Sequence, residues 1–264
     1  MTDLITTQQQ NHIFEISLNR ADKRNAINWS MMQALDRAIT EAEKADGVRA
    51  VIIRGEGKSF SSGIDFLGFP ELAESFGDNW QRNLFPVTAA MQAVFNRVER
   101  CSLPVIALLH GFCLGLGFEL ALACDIRIAS KNVRLGLPET RLGLVPDVGG
   151  TTRLTSLVGP ARAKELVMTG RDFGSQYAER WGIVNHVVAN SVELRAKGQS
   201  IADELAAAAP LAVNYSKKVI NGIIDLDRGL QLEAWAQSVL IQTEDFASGS
   251  QAMMTKKPPK WQGK

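Results

Sequence analysis

Glu119 and Glu139, 20 residues apart, are the side chains of this sequence best suited to chemistry. Glu119 lies within residues 103–130, one of the most apolar stretches of the chain, and Glu139 directly follows Pro138. A carboxylate among apolar neighbours is costly unless it is paired, hydrogen-bonded or useful. Burial raises its pKa, which suits it to general acid–base work near neutrality. Gly63, Gly115 and Gly117 each follow an expected strand and open toward an expected helix. Backbone N–H groups at helix starts are unpaired and point outward, and two of them from different loops can cradle one developing negative charge. Taken singly, each feature has a plainer explanation. A lone glycine makes a turn, an acid in a first helical turn gains from the dipole, and Asp147 before Val-Gly-Gly-Thr-Thr reads as a helix cap. Together they point to an oxyanion being held while protons move.

The elements that must position these groups follow from apolar periodicity. Residues 12–18 alternate and read as a strand, and residues 49–54 (RAVIIR) read as a buried one. Residues 104–110 and 125–130 form two more. Residues 29–45 and 79–100 carry apolar side chains at helical spacing. Strand-then-helix alternation predicts an α/β fold with turns of β-β-α type. The spacing from Val51 to Val105 hints at internal repetition. Beyond about residue 191 the pattern is helical throughout, over 192–209, 211–223 and 226–246, and the basic, proline-broken end (KKPPKWQGK) is expected to be extended. The predicted organisation is a core over 1–195 and a helical region over 196–264. Apolar residues such as Leu230, Trp235 and Leu240 exceed what one core-facing stripe needs, so burial against another subunit is expected.

Bulk composition narrows the alternatives. Apolar residues make up 45% of the chain and charged residues 22%, ordinary for a soluble globular protein. A net charge of +1 gives no field to attract nucleic acid or an anionic membrane. Residues 101–118 lack formal charge, but Pro104, Gly111, Gly115 and Gly117 break them into strand, turn and helix, so no membrane span is expected. Cys101, Cys113 and Cys124 sit in apolar sequence and read as reduced core residues of a cytoplasmic protein. The N-terminus carries no basic-then-apolar leader pattern. Gly57-Lys58-Ser59 lacks the upstream glycine of a phosphate loop, and Gly115-Leu-Gly-Phe-Glu-Leu120 lacks the third glycine of a dinucleotide turn, which disfavours a dehydrogenase. His12, His110 and His186 show no metal-ligand or triad spacing.

Four ordered motifs resemble the enoyl-CoA hydratase/isomerase (crotonase) family. They are Asn19-Arg-Ala-Asp-Lys-Arg-Asn-Ala-Ile27, Lys58-Ser-Phe-Ser-Ser-Gly-Ile-Asp65, His110-Gly-Phe-Cys-Leu-Gly-Leu-Gly-Phe-Glu-Leu120 with Ala123-Cys-Asp-Ile126, and Pro138-Glu-Thr-Arg-Leu-Gly-Leu-Val-Pro-Asp-Val-Gly-Gly150. The resemblance implies a crotonase-like spiral of β-β-α repeats with a C-terminal trimerisation region, assembled as a homotrimer or a dimer of trimers. It implies an oxyanion hole from the N–H groups of Ile64 and Leu116, gripping the thioester oxygen of an acyl-CoA. Glu119 and Glu139 match the hydratase pair, and Lys23, Arg24, Ala26, Ser61, Gly63, Asp65, Phe66 and Gly115 fall where the family binds substrate. Coenzyme A is then part of the substrate, with no separate cofactor and no metal. Leu116 stands where the family usually has glycine, and its side chain is expected to narrow the pocket. Asp147 stands where hydratases commonly have glycine and matches an acid of dienoyl-CoA isomerases, which tend to carry aspartate in place of Glu119. A 2-enoyl-CoA hydratase is therefore the first expectation. An enoyl- or dienoyl-CoA isomerase using Asp147 is the second, and a non-catalytic acyl-CoA- or RNA-binding relative the third.

Overall fold

The computed structural model describes residues 3–223 and 226–264. Its strands and helices alternate in the order β1 (Ile5–Gln10), β2 (Ile13–Leu18), α1 (Trp29–Lys44), β3 (Ala50–Gly55), α2 (Phe69–Phe76), α3 (Leu84–Arg100), β4 (Val105–Leu109), β5 (Phe112–Leu114), α4 (Leu116–Ala123), β6 (Ile126–Ser130), β7 (Arg134–Gly136), α5 (Gly150–Thr169), β8 (Phe173–Gly174), α6 (Ser175–Arg180), β9 (His186–Val188), α7 (Ser191–Ala206), α8 (Pro210–Gly222), α9 (Leu226–Leu240) and α10 (Glu244–Thr255). Short 3-10 turns at Ala21–Lys23, Phe66–Gly68 and Pro138–Leu142 complete the chain of elements.

A six-stranded sheet in the order β1-β2-β3-β4-β6-β9 is parallel from β2 onward, and a three-stranded sheet runs β5-β7-β8. Successive β-β-α turns feed both sheets. β4 joins the large sheet and β5 the small one before α4 begins, and β6 and β7 repeat this before α5. The result is the spiral expected of the sequence.

Both faces of the large sheet are buried from β2 to β6, as parallel sheets require. Val51, Ile53, Val105, Ala107 and Leu109 point into the main core with α1, α3 and α4. Ile13, Ala50, Ile52, Ile106, Leu108 and Ile128 point the other way and are covered by Leu194, Ile201 and Ala202 of α7. The expected boundary between residues 195 and 196 thus falls inside a helix that closes the core. The three cysteines are buried and free.

Four further features differ from the sequence-based reading. Residues 5–10 form an antiparallel edge strand, missed because its side chains are polar and mostly exposed. Residues 69–76 form α2, and α3 begins at Leu84 rather than at residue 79. The expected helix over 226–246 breaks after Leu240, because Thr243 caps a new helix by accepting from the Phe246 N–H. The basic tail folds back, with the Trp261 indole N–H on the Ala207 carbonyl and the Gly263 N–H on the buried Asp245 carboxylate. Among the described residues no helix is long and apolar enough to cross a membrane.

Candidate active site

The site is built where two strand-to-helix turns meet. Gly63 has φ +100° and Gly115 φ +51°, conformations that side-chain-bearing residues rarely adopt. A Cβ on Gly63 would lie 2.9 Å from the Leu114 carbonyl oxygen and 3.7 Å from the Gly115 Cα, so the turns are in contact. Ile64 makes a parallel bridge with Ile27, through the Ile27 N–H on Gly63 and the Asp65 N–H on Ile27, which leaves the Ile64 N–H facing away from that pairing. Leu116 is the first residue of α4, where an N–H has no intrahelical acceptor. Among the described residues neither N–H donates a hydrogen bond. The Leu116 side chain packs in the main core, so its expected intrusion into the pocket gives way to burial.

Ser61 and Asn25 hold this arrangement from beneath. Ser61 is fully buried; its hydroxyl donates to the Asn25 carbonyl and accepts from the Gly63 N–H. It therefore supports the loop instead of lining a pocket, a correction to its expected substrate contact. Asn25 is also fully buried, accepts from the Arg20 N–H and donates to the carbonyls of Glu56 and Ser59. Its side chain ties the loop after β2 to the loop after β3, a role that its place in the first motif alone did not disclose. Lys23 and Arg24 on the first loop are exposed, and Ala26 is half-buried. The Arg24 guanidinium stacks over Phe112. Asp65 caps the Phe66–Gly68 turn through the Leu67 N–H and pairs with Arg20 at 2.8 Å, so its carboxylate is structural. Phe66 is half exposed beside it.

The two glutamates differ in their surroundings. Glu119 lies one turn into α4, is 2% exposed, and its Oε1 accepts from the N–H groups of Val148 at 2.9 Å and Gly150 at 2.7 Å. Burial pushes its pKa up to about 8; the Gly150 N–H opposes that shift, while the nearby Glu139 charge adds to it. Glu139, in the first turn of Pro138–Leu142, also lies above the usual carboxylate range, again because of burial. Its Oε1 lies against Gly115, 2.9 Å from where a Cβ would be, and its Oε2 is buried without a hydrogen-bond partner among the described residues. The Glu139 carboxylate thus borders the turn that presents the Leu116 N–H, which Glu119 meets through its own N–H on the Gly115 carbonyl.

Asp147 is exposed and does not cap α5. The residue at that helix start is Gly149, which has no side chain to offer, and the N–H groups there go to Glu119 instead. The Asp147 carboxylate accepts from the Thr88 hydroxyl at 2.8 Å, and its charge contributes to raising both glutamates. His110 Nε2 lies 3.1 Å from the Gly57 carbonyl, which accepts from it, and burial lowers its pKa, in keeping with a structural role. A separate cavity of about 1140 Å³ is walled by α3, α5 and α8 and meets the site only at Val148 and Gly149.

The chain is similar to known proteins over nearly its whole length. A sequence profile of the enoyl-CoA hydratase/isomerase family matches residues 8–264. The short-chain-enoyl-CoA hydratase of Clostridium acetobutylicum is 37% identical over 96% of this chain and 95% of its own length. A mitochondrial Delta(3,5)-Delta(2,4)-dienoyl-CoA isomerase of Dictyostelium discoideum is 30% identical over 94% of this chain and 86% of its own. The crystal structure of an enoyl-CoA hydratase from Bacillus anthracis superposes with a TM-score of 0.91 at 36% identity, covering 99% of this chain and all of that one.

Proposed function

This chain is an enzyme that belongs to the enoyl-CoA hydratase/isomerase family, with the crotonase fold, and from that premise we propose that it adds water across the C2=C3 bond of a 2-enoyl-CoA. The thioester oxygen is held between the N–H groups of Ile64 and Leu116. Two donors aimed at that oxygen stabilise the enolate-like state in which negative charge builds there. A water lies between Glu119 and Glu139. One carboxylate takes its proton as hydroxide adds to C3, and the other carboxyl delivers a proton to C2. The step needs one acid protonated and one ionised, and burial, with the nearby Glu139 charge adding to it, favours the protonated form of Glu119. The observation that carries the reading is the pair of undonated N–H groups on adjoining turns, with the raised Glu139 carboxylate against Gly115 beside one of them.

Lys23, Arg24, Ala26 and Phe66 line the coenzyme A portion, which enters as part of the substrate with no separate cofactor. The chain works in the cytoplasm as a homotrimer or a dimer of trimers. Support for assembly comes from Ile220, Leu230, Trp235 and Phe246, large apolar side chains all at least about half exposed on α8, α9 and α10. The test is incubation with a panel of acyl-CoAs in heavy water followed by mass spectrometry. Addition of heavy water to a 2-enoyl-CoA is expected; deuterium uptake with double-bond migration and no hydration would overturn the reading.

One observation favours a second reading, isomerisation of a dienoyl-CoA. Asp147 is free of any capping duty and its charge reaches both glutamates, as a third proton carrier's would. Asp147→Asn should leave hydration nearly unchanged if the first reading holds. Isomerisation of a 3,5-dienoyl-CoA that vanishes in that variant would promote the second.

A further inference from the structure

Glu119 is held by a turn, and that turn is held by α3. Four consecutive carbonyls, of residues 146 to 149, each accept a hydrogen bond. Pro146 receives the Thr151 hydroxyl at 3.0 Å, and Asp147 receives the Gln92 amide at 2.6 Å. Val148 receives the Arg153 guanidinium at 3.1 Å, and Gly149 receives the Arg153 backbone N–H at 2.8 Å. The N–H groups of Val148 and Gly150, from the same turn, both end on Glu119 Oε1. Arg153 is anchored in turn by Nη2, which donates to Asn96 at 2.7 Å and Glu99 at 2.9 Å. Thr88, Gln92, Asn96 and Glu99 are spaced by four, four and three residues, so they form one stripe along α3.

We infer that Gln92 and Arg153 are positioning residues for Glu119, acting through the 146–150 turn. The route through Gln92 spans a single peptide group. Its amide donates to the Asp147 carbonyl, and the N–H of that same peptide, on Val148, donates to Glu119. Hydrogen bonds in such a chain polarise and strengthen one another. Arg153 fixes the next carbonyl along. It crosses so close over Gly149 that any Cβ there would collide with its guanidinium, and Gly149 has φ +104° besides. The turn has little room to relax into another shape while both ties are made. An apolar-core account of α3 leaves this stripe unexplained, since Val87, Met91, Val94, Phe95 and Val98 supply its packing.

Losing either tie frees the turn and weakens the two N–H donors that favour the ionised form of Glu119, so its pKa must rise. The other charged groups facing it are Glu139 and Asp147, both acidic; Gln92→Met removes a bond to the Asp147 main chain, while the Asp147 carboxylate keeps its bond from Thr88. The inference rests on the catalytic role proposed for Glu119, but its main test does not. The Glu119 carboxyl is titrated in the resting enzyme by infrared spectroscopy on 13C-glutamate-labelled protein, assigned by the band lost in Glu119→Gln. In Gln92→Met and Arg153→Met, both lacking the donor at similar length, the midpoint should move to higher pH. Steady-state kinetics should show kcat lower by roughly tenfold to a hundredfold, the cost of misplacing a reacting group by about 1 Å, with KM little changed. Arg153→Lys should recover part of the midpoint shift. An unmoved midpoint in a folded Gln92→Met protein overturns the inference, even if Arg153→Met fails to fold. A moved midpoint in variants that keep full activity, alongside a fully active Glu119→Gln, would instead remove the catalytic role of Glu119 and leave the positioning intact.

Discussion

Replacing Glu119 with glutamine should stabilise the protein, and more so as the pH rises. The carboxyl is buried, and that burial pushes its pKa up to about 8, well above the ordinary glutamate value of about 4.3. Because the folded pKa lies above the unfolded one, the folded state holds the proton more tightly. Glu119 contributes its full stability below the unfolded pKa and loses it progressively as the pH climbs to the folded value. Glutamine cannot ionise, and its amide oxygen can keep both bonds that Oε1 receives from Val148 and Gly150. Titrations other than those of Glu139 and Asp147, whose charges act on Glu119, cancel when the two proteins are compared. Between about pH 5.5 and about pH 8 the unfavourable ionisation spans ~2.5 units at ~1.4 kcal/mol each, less the part already relieved as the folded group ionises near pH 8, so the stability gap should widen by about 3 kcal/mol. Urea unfolding of both proteins at several pH values measures it, at matched concentration because subunit association adds to apparent stability. A gap that stays flat with pH would refute the argument, since Glu119 would then ionise as freely when folded as when unfolded. A glutamine variant that loses ground at high pH would refute it too, because the two N–H donors would then outweigh burial. Activity should fall in the same variant even as stability rises, as expected where a buried charge is kept for function.

Three other outcomes can be checked directly. Glu139→Gln should slow turnover by at least about a hundredfold with thioester affinity little changed, because proton transfer is lost while the backbone donors remain; steady-state kinetics on the best enoyl-CoA measures both. Gly63→Ala brings a Cβ to 2.9 Å from the Leu114 carbonyl at a φ of +100°, so the Ile64 N–H must move; kcat should fall by about a hundredfold, the usual cost of one oxyanion donor. Light scattering at micromolar concentration should give three or six subunits, and a monomer would leave the exposed apolar residues of α8, α9 and α10 without their proposed cover.

The chemistry of the site is carried by short stretches of chain, which is why so much of it is legible in the amino-acid order. Gly115-Leu116 needs only a strand end, a positive-φ glycine and a helix start to present an N–H outward, and Gly63-Ile64 a positive-φ glycine beside a one-residue bridge. These are properties of a few consecutive dihedrals, as are the placement of Glu119 one turn into α4 and Glu139 after Pro138. The two apolar strands at β3 and β4 were equally plain, since a strand buried on both faces is apolar throughout. Elements whose pattern is weak went unseen: the polar edge strand β1 and the two- and three-residue strands of the small sheet.

Tertiary structure alone decided what surrounds those local devices. Asp147 looked like a cap because it precedes a helix, but the acceptor at that helix start comes from Glu119, 31 residues before Gly150 in the chain. Ser61 looked like a substrate contact until packing beneath α4 buried it. No motif marks Gln92, Asn96 and Glu99, and only the fold brings the 146–153 segment onto them, 54 to 57 residues later. Turn geometry and helix polarity are local consequences of residue type, so a sequence displays them. A hydrogen bond between distant segments depends on how sheets and helices stack, and no periodicity in either segment records its partner.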